Sequence, residues 1–116
     1  MNLNEYQEHA KETALTTSER GGLPDLAYYL IGLCDEAGEV AGKVKKLYRD
    51  NNGELTVGQR YIIAQELGDV LWYLAMLAHG VGHPLENVAT INLDKLARRK
   101  AEGLIHGSGD NRKADA

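Results

Sequence analysis

A chain of 116 residues, 43% apolar and 26% charged, has the make-up of one soluble globular domain with no room for a second. Its formal charge of −4 argues against a general nucleic-acid surface, which carries a basic excess, and the single Cys34 excludes an intrachain disulfide. No apolar run approaches the ~18 residues of a membrane span, and residues 1–12 lack the apolar core of a signal peptide, so a cytoplasmic protein with no membrane or nucleic-acid partner is expected.

Four helical stretches follow one another. The first covers residues 4–15, with Asn2 or Asn4 as cap and a thin stripe of Leu3, Tyr6, Ala10 and Ala14. After Gly21 and Gly22, Pro24 suits a first helical turn, and Leu26, Leu30, Leu33, Ala37, Val40, Val44 and Leu47 step by four and three to a helix end near Asp50. Asn51, Asn52 and Gly53 form a turn, and Thr56 caps a third helix whose stripe is Ile63, Leu67, Val70, Leu74, Leu77 and Val81. Gly80 and Gly82 close it; Pro84 opens a fourth helix carrying Leu85, Val88, Ile91 and Leu96, which Gly103 stops.

Nothing alternates with the period of a strand. The expected fold is all-α, a four-helix bundle-like protomer in residues 1–105, followed by a polar tail, residues 106–116, that is mobile or docked elsewhere. Helices two and three carry more apolar surface than helices one and four can cover, so a homodimer is expected to complete the core.

One five-residue pattern occurs twice: Glu36-Ala37-Gly38-Glu39-Val40 and Glu66-Leu67-Gly68-Asp69-Val70. Acids three apart share a helix face because a turn takes 3.6 residues. Seventeen acids in a chain of this length give about two or three such pairs by chance. The third pair, Glu5 with Glu8, is read as a solvated acidic face. The other two differ from it: each acid precedes a residue of the apolar stripe, so both pairs flank the expected seam. Each also encloses a glycine, which weakens a helix interior by up to ~1 kcal/mol but admits a close neighbour. Packed together, four carboxylates would repel one another unless cations are bound.

The ligand types select the metal. A di-iron carboxylate bundle wants a histidine three residues after a glutamate, and His9, His79, His83 and His106 all lie elsewhere. All-oxygen ligands favour hard cations, above all Mg²⁺, which bridges carboxylates to phosphates. Cationic donors for a phosphate are offered by the fourth helix, where Asn92, Lys95 and Arg99 project together, and by Lys43 and Lys46 beyond Glu39. Tyr73 lies one turn past Asp69 on the acidic edge, and Trp72 is expected to help build a substrate pocket with helix one and a partner subunit.

The two acid motifs, with LCDEAGEVAGKVKK (residues 33–46), ELGDVLWYL (66–74), NLDKLARRK (92–100) and the ending GSGDNR (107–112), resemble the short single-domain members of the MazG-like, all-α nucleoside triphosphate pyrophosphohydrolases. The resemblance implies hydrolysis of a nucleoside triphosphate between its α and β phosphates to the monophosphate and pyrophosphate, with Mg²⁺ or Mn²⁺, in a homodimer or dimer of dimers; clamping a triphosphate is expected to take two or more ions per site. It assigns Glu36, Glu39, Glu66 and Asp69 to the metal ions and Asn92, Lys95 and Arg99 to the nucleotide. Glu39, then Glu36, is the expected base for the attacking water. Cys34 and Asp35 depart from the small or apolar residues expected beside the motif. Two alternatives stand beside this reading: a dUTPase-like or dCTPase-like house-cleaning enzyme on the same scaffold, and a non-catalytic helical dimer module.

Overall fold

Capping side chains set two of the helix starts. In the computed structural model, which describes residues 1–14 and 23–112, Asn2 opens α1 (Leu3–Lys11). Its carboxamide accepts from the Glu5 N–H at 2.8 Å while the Glu5 carboxylate accepts from the Asn2 N–H, a reciprocal pair that satisfies two otherwise orphaned donors. The helix stops at Lys11, earlier than the expected residue 15, which lies outside the described residues. The Thr13 hydroxyl donates to the Ala10 carbonyl just beyond that end.

Helix α2 (Leu23–Asn51) is the longest. Asn52 and Gly53, with φ of 51° and 77°, reverse the chain in the left-handed region that favours Asn and Gly. Thr56 then caps α3 (Val57–Gly80) in a second reciprocal pair, with Gln59. Pro84 precedes α4 (Leu85–Ala101), and Gly103, at φ 70°, ends it while the Leu104 N–H reaches back to the Arg99 carbonyl at 2.7 Å. Among the described residues there is no strand, as expected, and no helix is long and apolar enough to cross a membrane.

Helices α2 and α3 form an antiparallel hairpin, and α1 and α4 pack on α3 and on each other. The core is small: Ala10 of α1, Ala75, Met76 and Ala78 of α3 and Leu85 of α4, joined by Tyr6, Tyr29, Leu71, Trp72 and Val88. Buried Gln7 fastens α1 to it, donating to the carbonyls of Ala75 and His83 and accepting from the Leu85 N–H at 2.9 Å. Each amide group thus finds a partner where an unpaired one would weaken the fold.

The hairpin seam differs in phase from the expectation. Stepping by three and four, Leu26, Tyr29, Leu33, Glu36, Val40, Lys43 and Leu47 are covered on α2, as are Gln59, Ile63, Glu66, Val70, Tyr73 and Leu77 on α3. Leu30, Ala37, Val44, Leu67, Leu74 and Val81, read as core from their spacing, are exposed. The reason lies in the repeat: the set Leu26, Leu33, Val40 and Leu47 can be completed by residues four further on (30, 37, 44) or three further on (29, 36, 43), and the rotation of α2 against α3 covers the second of these. Glu36 and Glu66 accordingly lie within the seam, whereas Ala37 and Leu67, taken as its centre, face outward.

Candidate functional site

The antiparallel pairing that places Leu26 beside Gly80 also brings Glu36 of one acid motif against both acids of the other. One carboxylate oxygen each from Glu36, Glu66 and Asp69 lie within 4.8 Å of one another, the one such group among the described residues. Glu39, the fourth predicted ligand, is exposed on the next turn and does not belong to this triad. Glu36 and Glu66 are half-buried and Asp69 is exposed, so the cluster opens to solvent on the α3 side.

The electrostatics are those of a site that lacks positive charge. Desolvation pushes the Glu36 carboxyl above the ordinary glutamate value, and Asp69, Asp35, Glu66 and Glu39 add repulsion in the same direction. Lys43 is the nearest cation, its Nζ 3.6 Å from Glu66 Oε1. A single ammonium cannot balance three to five carboxylates. The donor set is all oxygen, and the cluster therefore has the composition of a hard divalent-cation site.

Glu36 and Asp69 also line a cavity of about 380 Å³ whose other walls are Thr13, Tyr28, Tyr29, Trp72 and Tyr73. The aromatic rings interlock: Trp72 and Tyr73 meet edge to face at 5.0 Å between centroids, and Tyr29 meets Trp72 at 6.0 Å. Such pairs stabilise by about 0.5–1.5 kcal/mol each beyond their area and make the walls stiff. Glycine at residue 32 lets Tyr73 reach its place, because a Cβ there would fall on the ring. Burial raises the Tyr73 phenol above its usual value, helped by its hydrogen bond to Tyr28 and by the charges of Glu36 and Asp35.

The predicted contacts separate on this structure. Tyr73 and Trp72 stand at the cavity, but the Trp72 indole N–H is engaged by α1, donating to Thr13 Oγ1 at 2.8 Å and to the Ala10 carbonyl at 3.1 Å. Trp72 thus offers a ligand its ring and not its donor. Lys46 lines a separate cavity of about 200 Å³ near the α2–α3 turn, with Leu47, Gln59, Ile62 and Ile63. Asn92, Lys95 and Arg99 do not line the aromatic cavity. Arg99 is buried, and residues 107–112, expected to be mobile or docked elsewhere, fold back on α4 against it.

Sequence reasoning missed Thr13, Tyr28, Tyr29 and Gly32. The antiparallel pairing of the two acid motifs carried a signal for two of them: running back from Glu36 and forward from Asp69 by equal steps brings Gly32 opposite Tyr73 and Tyr29 opposite Met76. Thr13 had no such signal, because its place depends on how α1 crosses α3. The Glu5 and Glu8 pair proves structural, Glu5 closing the α1 cap and Glu8 pairing with Lys11 at 2.8 Å.

The sequence model of the MazG nucleotide pyrophosphohydrolase domain matches residues 26–103. That span holds both acid motifs and α4. The chain is 44% identical to the Gene 37 protein of Mycobacterium phage L5 over 114 residues, covering 97% of this chain and all of that protein, whose name states no activity. No solved structure matches the chain.

Proposed function

The chain belongs to the MazG nucleotide pyrophosphohydrolase family, and from that premise we propose that it hydrolyses nucleoside triphosphates between the α and β phosphates, giving the monophosphate and pyrophosphate. One observation carries the reading: the Glu36, Glu66 and Asp69 cluster stands beside an aromatic cavity that shares Glu36 and Asp69 as walls. A stacking surface for a base and an acidic seat for cations are thus contiguous, as a nucleotide held by its phosphates and its ring would require.

Glu36, Glu66 and Asp69 would hold Mg²⁺, with Mn²⁺ as substitute and two or more ions per site, and Glu39 is one turn from joining them. Bound there, the cation supplies neutralisation of phosphate charge and lowers the pKa of water. The chain's own residues do the rest. The Glu39 carboxylate, exposed and one turn from the triad, accepts the proton of the attacking water, with Glu36 as the next candidate. Tyr28, Tyr29, Trp72 and Tyr73 offer the base an aromatic wall to pack against. Lys43 and the α4 cations, Lys95 with Arg99 and aided by Asn92, offset the charge on the phosphate oxygens.

The active form is a homodimer, or a dimer of such dimers. Leu30, Ala37 and Val44 on α2 and Leu67 and Leu74 on α3 leave an apolar face outside the hairpin seam. The radius of gyration, 17.6 Å, exceeds the roughly 13 Å of a self-sufficient domain of this length. A second copy offering the same face would complete a bundle.

The test is a panel of eight nucleoside triphosphates incubated with Mg²⁺ and with Mn²⁺, the products resolved as monophosphate plus pyrophosphate or diphosphate plus phosphate. The first product pair is expected. The second would overturn the cleavage position, and no metal-dependent release with any nucleotide would overturn the enzyme reading.

A further inference from the structure

Residues 107–112 form a built structure on the end of α4. Arg112 is its latch: Nη1 donates to the carbonyls of Leu104 and Ile105 at 3.0 and 2.8 Å, and Nε donates to the Gly109 carbonyl at 2.9 Å. The turn that this latch closes has Gly109 at φ 76°, and it delivers the next side chain, Asp110, between two cations. A single oxygen, Asp110 Oδ1, lies 3.1 Å from Lys95 Nζ and 3.0 Å from Arg99 Nη2. One carboxylate oxygen bracketed by an ammonium and a guanidinium is the arrangement in which a phosphate oxygen is commonly held.

We propose that Lys95 and Arg99 form an anion seat that Asp110 occupies as an internal competitor, and that a polyphosphate binds there by displacing it. The inference rests on the proposed reading that the α4 cations meet the phosphate chain, and it adds a control on that contact.

Three features make Asp110 a displaceable occupant and not a structural member. Its side chain is 79% exposed, whereas that of Arg99 is 9% exposed, so the seat is fixed while its occupant is at the surface. The latch bonds of Arg112 run to three carbonyls and none to Asp110, so the turn persists when the carboxylate leaves. Arg99 also keeps its 2.9 Å bond to the Gly109 carbonyl, which holds the guanidinium in position for an incoming anion. Both cations hold the Asp110 carboxyl below the ordinary aspartate range, so it is ionised and competes as an anion at neutral pH. Exposed pairs of this kind are weak, and several phosphate oxygens outmatch one carboxylate oxygen.

The experiment measures inorganic pyrophosphate binding by calorimetry with divalent cations removed, so that the acidic triad takes no part and the outcome is independent of the hydrolysis assay. Asp110→Asn should tighten binding about fivefold, the effect of removing a competitor of surface ion-pair strength. Asp94→Asn, which removes the same charge from an exposed position on α4, should leave it nearly unchanged, and adding Lys95→Met to Asp110→Asn should cancel the gain. Equal tightening in both Asp→Asn variants, or none in Asp110→Asn, would overturn the proposal. The unmodified chain provides a second arm: the ¹³C resonance of the Asp110 carboxyl should move toward that of an unpaired carboxylate as pyrophosphate saturates the protein. A resonance that stays in place while pyrophosphate binds overturns displacement equally.

Discussion

The Tyr73 ring occupies the space that a side chain on residue 32 would need: a Cβ on Gly32 would lie 2.5 Å from the ring's Cδ1 and Cζ. Backbone and ring are thereby locked across the hairpin, and the lock forms one wall of the aromatic cavity. Gly32→Ala should push the ring aside, destabilising the chain by about 1–2 kcal/mol despite alanine's better helix propensity. Thermal melts of Gly32→Ala, Tyr73→Ala and the double variant check this. Because the two residues collide directly, the double variant should lose much less than the sum of the two single losses. In the enzyme assay Gly32→Ala should raise KM by more than it lowers kcat.

Stability of the metal-free chain should respond to pH in the reverse of the usual acidic direction. Burial and neighbouring acids raise the folded-state pKa of Glu36, so between the ordinary value and the raised one the folded chain binds more protons than the unfolded chain. Its contribution is therefore favourable at the acid end of that window and is lost as pH rises through it. Glu8, Asp50 and Asp110, held low by Lys11, Arg49 and the α4 cations, act in the opposite sense and below the ordinary carboxylate range. Melts in chelator should show Tm falling as pH rises from that range toward neutrality, and Glu36→Gln should flatten the slope.

The same substitution tests the cation seat by a different readout. Added Mg²⁺ should raise the Tm of the unaltered chain by several degrees, since a ligand that binds only the folded state stabilises it by mass action. In Glu36→Gln or Glu66→Gln most of that gain should vanish, while the metal-free Tm rises because a source of repulsion is gone. A Mg²⁺ response as large as that of the unaltered chain in both variants would remove the triad from metal binding.

Glu39 stands apart from the triad, and this separates holding the cation from activating water. Glu39→Gln should keep the fold and most of the Mg²⁺-induced rise in Tm while kcat falls by about 10²–10⁴-fold, the typical contribution of a positioned general base. Unchanged turnover would take Glu39 out of the mechanism.

The outward face of the hairpin makes a prediction about assembly. Leu67 is 51% exposed on the outward side of its acid motif, so Leu67→Asp should leave the small core intact while breaking the contact between copies. Sedimentation velocity should report a dimer for the unaltered chain and a monomer for the variant.

Local sequence determined the elements themselves. Asn2 and Thr56 with their reciprocal partners, Gly53 and Gly103 at positive φ, and the runs between them act within a few residues, so their consequences were legible without a fold. The two acid motifs were legible for the same reason, since a spacing of three needs only helix geometry. Tertiary structure decided the rest. Which half of each apolar stripe became the seam depended on the rotation of α2 against α3, so that Glu36 and Glu66 entered the seam and Leu67 left it. The cavity joins Thr13 of the α1 end to Tyr28 and Trp72, residues 15 and 59 positions distant in sequence, which no local spacing encodes. Only the folding back of the tail could show that Lys95 and Arg99, read from helix periodicity as free donors, already hold an anion of the chain's own.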